Sequence, residues 1–234
     1  MNLDIHRFER IPSSQDVLHQ MAEAGAPSGT VVVATVQEGA RGQRGRPWSS
    51  PEGGLWLSVL VRPRSAAAGE VLSLRAGLAV AAVLDALGTL PPVQLKWPND
   101  LLIDGRKVGG LLCEARWRGS ELGWVVVGCG INVRNPVPEG LPQPAARLAE
   151  WDPALTPDQL LAPVATALAS LEQGGERLSA EELDAFRARH WLKGRRVSGP
   201  VAGIVGQVTA DGALQVGQNE GGTVHLRSAS VELE

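Results

Sequence analysis

At 234 residues, 44% hydrophobic and 20% charged, the chain can build a real core as one large domain, or as one domain with a small appendage, and is not a disordered polymer. Its formal charge of −3 gives no overall basic field, which argues against whole-molecule attraction to nucleic acid and leaves only a local basic patch at Arg41, Arg44 and Arg46. The first ten residues lack the basic start and apolar run of a signal peptide, and the strongest apolar stretches, near 79–87 and 124–129, fall short of the roughly 20 residues that span a bilayer. Cys113 and Cys129 fit neither a disulfide framework nor paired metal ligands, so they are expected as reduced core thiols in a cytoplasmic protein without membrane association.

Ser13 and Ser14 can cap a helix running to about residue 24, with Val17, Leu18 and Met21 on one face and Gly25 as its stop. The β-branched run 30–37 is expected to be a buried strand, and 38–52, rich in glycine, proline and arginine, a loop. Leu55, Leu57, Val59 and Val61 alternate with Trp56, Ser58, Leu60 and Arg62 as in a half-buried strand. Residues 68–87 have helical spacing and end at Gly88. A strand over 93–97 stops at Pro98, and 101–115 is a hairpin turning at Asp104-Gly105, a dipeptide suited to a two-residue turn. A further strand over 123–133 leads into the proline-rich stretch 134–157, expected as a surface connection. Helices over 158–173 and 180–191 follow. From 194 onward glycines divide short β segments such as 201–208 and 223–226, the pattern of a small β domain.

Three constellations carry chemistry. In the loop 38–48, Arg41, Arg44 and Arg46 are interspersed with Gly42 and Gly45. Glycine lets backbone N–H groups approach an anion, and guanidinium forks match phosphate and carboxylate oxygens. The same composition also describes a solvated basic loop, and no GxxxxGK[ST] phosphate loop occurs anywhere. In the second, Asn99 and Asp100 emerge at the end of an apolar strand, where polar side chains need partners, and Lys107 follows on the other hairpin arm. Alone, Lys107 reads as a snorkelling surface lysine; together with Asn99 and Asp100 it reads as a cation aimed into a pocket. The third, Gly128-Cys129-Gly130-Ile131-Asn132, lacks the following helix and third glycine of a dinucleotide fingerprint and suits close packing of backbone on a ligand or on the arginine loop.

Taken in order, ARGQRGRPW at 40–48 resembles the GRGRRGRxW loop of biotin–protein ligases, KWPND at 96–100 is that family's most specific string, and GRKVGG at 105–110 and GCGINV at 128–133 resemble its next two blocks. The resemblance covers roughly residues 5 to 230. It implies an α+β fold related to class II aminoacyl-tRNA synthetases and lipoate ligases. This would be a mixed, largely antiparallel sheet with helices over residues 1–190, followed by a small SH3-like β-barrel over 191–234. It also implies a two-step activity in which ATP, with Mg²⁺, converts biotin to biotinyl-5′-AMP and the biotinyl group passes to a lysine of a biotin carboxyl carrier protein or domain, such as that of acetyl-CoA or pyruvate carboxylase. A homodimer is compatible with it.

By the same resemblance, biotin falls to Ser13, Ser14, Gln15, Gln37, Arg41, Gly42, Gln43, Lys107, Gly110 and Gly130. ATP and the adenylate fall to Arg41, Arg44, Arg46, Trp48, Asn99, Lys107, Asn132 and Arg227. Lys107, Arg41, Asn99 and Asp100 are then the catalytic set, with Lys107 stabilising charge on the bridging oxygens and Asp100 the candidate metal ligand. Alternatives are a lipoate or octanoate ligase and, in another class, a DNA-binding biotin-operon regulator. The regulator is disfavoured because the resemblance starts almost at Met1 and leaves no N-terminal helix-turn-helix. The chain departs from the family pattern at Ala40 for glycine, Gln15 for asparagine, and Gln43 where many relatives have arginine. Loss of that guanidinium is expected to weaken adenylate retention by roughly 1–3 kcal/mol, unless Arg44 or Arg46 compensates.

Overall fold

A computed structural model describes residues 3–218, 221–227, 229 and 231–233. The expected α+β fold is present. A seven-stranded sheet has the order β1-β2-β3-β7-β6-β5-β4, comprising β1 (Asp4–Ile11), β2 (Thr30–Gln37), β3 (Leu55–Val61), β4 (Gln94–Lys96), β5 (Asp100–Ile103), β6 (Arg106–Arg118) and β7 (Glu121–Ile131). Every neighbouring pair is antiparallel except β1 and β2. Edge strand β1 went unread in the sequence because its charged residues, mostly exposed along an edge, hide the period of two.

The sheet is covered on both faces. Helix α1 (Ser14–Glu23) packs Leu18 and Ala22 on Val32, Ala34, Leu60, Trp124 and Val126. The alternate residues of the same strands, including Val31, Val33, Leu57, Val59, Val125 and Val127, face α3 (Leu72–Asp85) and α4 (Pro157–Ala169). β3 is therefore buried throughout, and its apparent alternation reflects two different covers, not one wet face. The single helix expected over 68–87 is broken at Val71 into α2 (Ala66–Glu70) and α3. Gly69 sits within the short piece, where a Cβ would come within 3.2 Å of the Leu122 side chain on β7. The stretch 134–157 is not a plain surface connection. Ala146, Leu148 and Leu155 are core, and Pro144 and Ala146 bond the backbone of Lys107.

After α5 (Ala180–Arg189), strands β8 (Arg196–Gly199), β9 (Gly203–Val208), β10 (Leu214–Gly217), β11 (Thr223–Leu226) and β12 (Glu232–Leu233) form a second sheet, β11-β10-β9-β8-β12. Val197, Val205, Leu214 and Val216 join the same apolar core as the large sheet. Trp97, 2% exposed, spans the junction and donates its indole N–H to the Gly212 carbonyl at 3.0 Å.

His190 lies at this junction, buried against Phe186, with neither ring nitrogen hydrogen-bonded. Burial, with Lys193 nearby, pushes its pKa down from 6.5 to about 4. The unfolded chain therefore takes up this proton first, so the His190 contribution is complete above about pH 6.5 and declines as pH falls, costing about 3 kcal/mol by pH 4. Urea unfolding at pH 7 and at pH 4 is expected to show a smaller acid loss in His190→Leu than in the parent; equal losses would exclude His190 as a source.

Candidate active site

A cavity of about 700 Å³ opens on the α1 side of the large sheet, within the size range of small-molecule sites. Its floor is cleared by glycine. Gly110 pairs with Gly130 and Leu112 with Gly128 across β6 and β7, so these positions share one face. A Cβ on Gly128 would meet Gln15 Nε2 at 2.6 Å, and one on Gly130 would meet Trp48 Nε1 at 2.7 Å. The GxG at the end of β7 thus seats two side chains, about 7 Å apart along the strand, and the close packing expected of it is observed.

The neutral end of the cavity lies over Gly128. Ser13 caps α1 by accepting the Gln15 N–H. The Gln37 carboxamide accepts the Ser14 N–H at 2.7 Å and donates to Ser50 Oγ at 3.1 Å, while the Ser14 and Ser58 hydroxyls share a 2.8 Å hydrogen bond.

Residues 40–48 form a strap over the cavity, closed on itself by Trp48 N–H to Ala40 C=O and Gly42 N–H to Arg46 C=O. Arg44 (φ 59°) and Gly45 (φ 72°) turn its tip through the left-handed region. Arg41 lines the cavity and anchors the strap through two carboxylates. It donates to both oxygens of Asp16 (2.8 and 3.1 Å) and both of Glu114 (2.8 and 3.0 Å). His19 Nδ1 accepts from the Trp124 indole at 3.0 Å, which leaves the ring proton of the neutral form on Nε2, 3.5 Å from Glu114. His19 and the Arg41 guanidinium hold the Glu114 carboxyl down at about 2, and the two carboxylates raise the Arg41 pKa. Asp16, His19 and Glu114 were not singled out in the sequence, because nothing local links them to the strap.

The cationic end lies over Gly130. Lys107 Nζ is 2.6 Å from Asp100 Oδ1 and 5.0 Å from the centroid of the Trp48 ring. Its direction comes from a β-bulge. Asp100 pairs with Gly110 and Leu101 with Gly109, but Leu102 pairs with Lys107, so Val108 is the extra residue on β6. Without the bulge Lys107 would lie opposite Ile103, on the core face; with it, Lys107 shares the cavity face with Asp100. The turn beneath, Asp104 (φ 51°) and Gly105 (φ 73°), is the two-residue type expected. Asn99 lines the wall, donating its side-chain amide to the Leu111 carbonyl and accepting the Leu111 N–H on its backbone carbonyl. Lys96, half-buried and bonded to Gln143 at 3.1 Å, has its pKa lowered by burial, offset by Asp100 and reinforced by Lys107 and Arg46. Arg44 and Arg46 also line this end and form no ion pair among the described residues. An anion meets net positive charge here.

Asp100 is the candidate metal ligand at this end. Asp100 already holds Lys107, and among the described residues no group of three His, Cys, Asp or Glu side chains could bind an ion.

All the expected site residues line the cavity except two. Asn132 is buried beside it, receiving the Asn135 amide on its side chain while its backbone bonds Val108 and Leu148. Arg227 is exposed and pairs with Asp211 (2.5 Å) and Glu70 (3.6 Å). The C-terminal sheet reaches the cavity instead through Ala229, Val231, Glu232 and Leu233, and the long connection does so through Leu141, Pro142 and Gln143. Cys113, half-buried, and Cys129, buried, are free, and burial pushes both thiols up to about 12. Among the described residues no helix is long and apolar enough to cross a membrane.

Residues 7–132 match the profile of the biotin/lipoate A/B protein ligase family. A biotin–[acetyl-CoA-carboxylase] ligase of Paracoccus denitrificans is 30% identical over 203 residues, 84% of this chain and 83% of that one. The bifunctional ligase/repressor BirA of Bacillus spizizenii is 39% identical over 127 residues, but this chain spans only 39% of its length. Among solved structures, the biotin protein ligase of Aquifex aeolicus in complex with biotin and ATP superimposes with a TM-score of 0.80 at 26% identity, covering 99% of this chain and 98% of that one. On profile, sequence and fold together, the chain belongs to the biotin/lipoate A/B protein ligase family.

Proposed function

We propose that this chain is an ATP-dependent biotin–protein ligase. The observation that carries the reading is the two-ended cavity: a neutral, hydrogen-bonding end over Gly128 and a cationic end over Gly130, where Lys107 is held by Asp100 beneath a basic strap. A ligand with an uncharged polar ring at one end and a carboxylate at the other matches it, and the cationic end has room for the phosphates the carboxylate must meet.

In the first step a biotin carboxylate oxygen bonds the α-phosphorus of ATP and pyrophosphate leaves, giving biotinyl-5′-AMP. Lys107 lies where the carboxylate and α-phosphate converge, so it offsets their mutual repulsion and the charge growing on the transferring oxygens. Arg44, Arg46 and Lys96 supply further positive charge for the phosphates, and Trp48 an aromatic face. Arg41 acts at one remove, fixing the strap through Asp16 and Glu114. Magnesium enters as the ATP complex, as part of the substrate. In the second step the neutral amine of an acceptor lysine attacks the acyl carbon, AMP leaves, and the amine loses a proton as the amide forms. The acceptor is a biotin carboxyl carrier domain, the setting is the cytoplasm, and residues 1–190 form the catalytic unit with 191–234 as its β appendage.

The test is ATP–pyrophosphate exchange by the full chain. Exchange dependent on biotin supports the reading. Exchange dependent on lipoate or octanoate, with thermal stabilisation by those acids and not by biotin, replaces it with the lipoate branch of the family. Gln43 lines the cavity where many relatives carry arginine. Gln43→Arg is expected to reduce labelling of non-cognate lysines; unchanged labelling would show that Arg44 or Arg46 already holds the adenylate.

A further inference from the structure

We infer, resting on the ligase reading above, that Asp16 and Glu114 are positioning residues that hold the strap closed through Arg41 and so set how long an acyl-adenylate is retained. The strap 40–48 bonds mainly to itself. Trp48 N–H meets Ala40 C=O, Gly42 N–H meets Arg46 C=O, and Arg46 N–H meets Gln43 C=O. Trp48 packs its ring on Gly130 and near Lys107, but its buried indole N–H has no hydrogen-bond partner. Among the described residues, Arg41 is the only strap side chain that hydrogen-bonds to the rest of the domain. The polar attachment of the strap therefore runs through one guanidinium.

That guanidinium is held from two elements. Asp16 lies in the first turn of α1 and Glu114 on β6, and together they occupy four of its five N–H groups. The two carboxylates are not equal. The Glu114 side chain is 22% exposed against 45% for Asp16, so water screens its attraction less. Glu114 is also braced from behind by His19, whose Nε2 is 3.5 Å away and whose ring is oriented by the Trp124 indole on Nδ1. None of Asp16, His19 and Glu114 lines the cavity, so they act on a substrate only through Arg41. Removing the Glu114 carboxylate leaves Arg41 on the more exposed partner alone, and the strap opens more often. The mixed anhydride then escapes before the acceptor lysine arrives. A free amine in solution bonds its acyl carbon instead, AMP leaves, and the amine loses a proton.

The test makes two measurements on the full chain, as parent, Glu114→Ala, Glu114→Gln and Asp16→Ala. Trypsin cleavage after Arg44, at the exposed tip, reports strap opening without any ligand, because a protease needs the segment locally released. Glu114→Ala is expected to be cut there roughly tenfold to a hundredfold faster than the parent, as for loss of hydrogen bonds to a charged group. Asp16→Ala should be cut about threefold faster, as for a more exposed ion pair, with Glu114→Gln, which keeps one acceptor oxygen, in between. In biotin-dependent pyrophosphate exchange, Glu114→Ala is expected to raise KM for biotin about tenfold while kcat falls less than about threefold. Its ratio of non-cognate labelling to exchange should rise in step with the cleavage rate. Cleavage and labelling equal to the parent's overturn the latch, as does a larger effect from Asp16→Ala than from Glu114→Ala. Should Glu114→Ala be cut faster at every tryptic site, it has lost the fold, and the nearly isosteric Glu114→Gln then decides by the same comparison. A parent with the expected order of cleavage but no exchange with biotin removes the ligase reading and leaves the latch in place, so the two failures are distinguishable.

Discussion

Replacing Lys107 by alanine is expected to lower biotin-dependent ATP–pyrophosphate exchange at least a hundredfold, a loss of about 3 kcal/mol in the transition state, as for removal of one preorganised donor from an anionic reacting centre. Two effects act in the same direction. The ammonium that offsets carboxylate and phosphate repulsion is lost, and Asp100, now without its partner at 2.6 Å, adds a bare negative charge to the wall of the same cavity. The second effect is separable. In the double variant Lys107→Ala/Asp100→Asn that charge is gone, so part of the loss should return, and the two substitutions should be non-additive. Measuring exchange rates for both single variants and the double closes the cycle. Undiminished exchange in Lys107→Ala would remove Lys107 from the mechanism, and strict additivity would show that the 2.6 Å pair has no bearing on catalysis.

Trp97→Ala is expected to be the most damaging substitution for stability, at about 3–5 kcal/mol. The side chain is 2% exposed, and its indole ties the carbonyl of Gly212, in the turn between β9 and β10, to the segment that carries Pro98, Asn99 and Asp100. Gly212 adopts φ 83° with Val71 and Leu74 packed against it, so the contact has little slack to close over a cavity. For a chain of this size the loss corresponds to a melting temperature about 10 °C lower. Trp97→Phe keeps most of the ring and loses only the N–H···O bond, so about 1 kcal/mol is expected. Calorimetric melting of the parent and both variants checks the order; a Trp97→Ala loss below 1 kcal/mol would mean that the two sheets do not depend on this residue.

Much of the fold was legible because its signals are local. The cap at Ser13, the β-branched run of β2, the Asp104-Gly105 turn and the helical spacing of α3 and α5 each depend on residues within a turn or two of one another. The errors have local reasons too. β1 hides its period behind edge charges, and α2 and α3 separate at Val71 within an alanine-rich run that looks continuous. The connection 134–157 was read as surface from its prolines, yet Leu148 is wholly buried and Pro144 receives the Lys107 N–H.

For the site, the sequence by itself determined which chemical groups are present: the arginine–glycine strap, the Asn99–Asp100 end of a strand, Lys107 on the opposite arm and the glycines of β7. How each group is placed and what it is bonded to was decided only by the tertiary structure. A single bulge turns Lys107 from the core face to the cavity face, and a change of one residue in register is invisible to any pattern of period two. Arg41, expected as an anion ligand, is also bound by Glu114, 73 positions away, and this contact fixes the strap. Gln15 is oriented by Leu112, 97 positions away, and that contact leaves its oxygen buried without a hydrogen-bond partner. Residue type sets what a side chain can donate or accept, but whether that capacity is already satisfied depends on partners that folding alone brings within 3 Å.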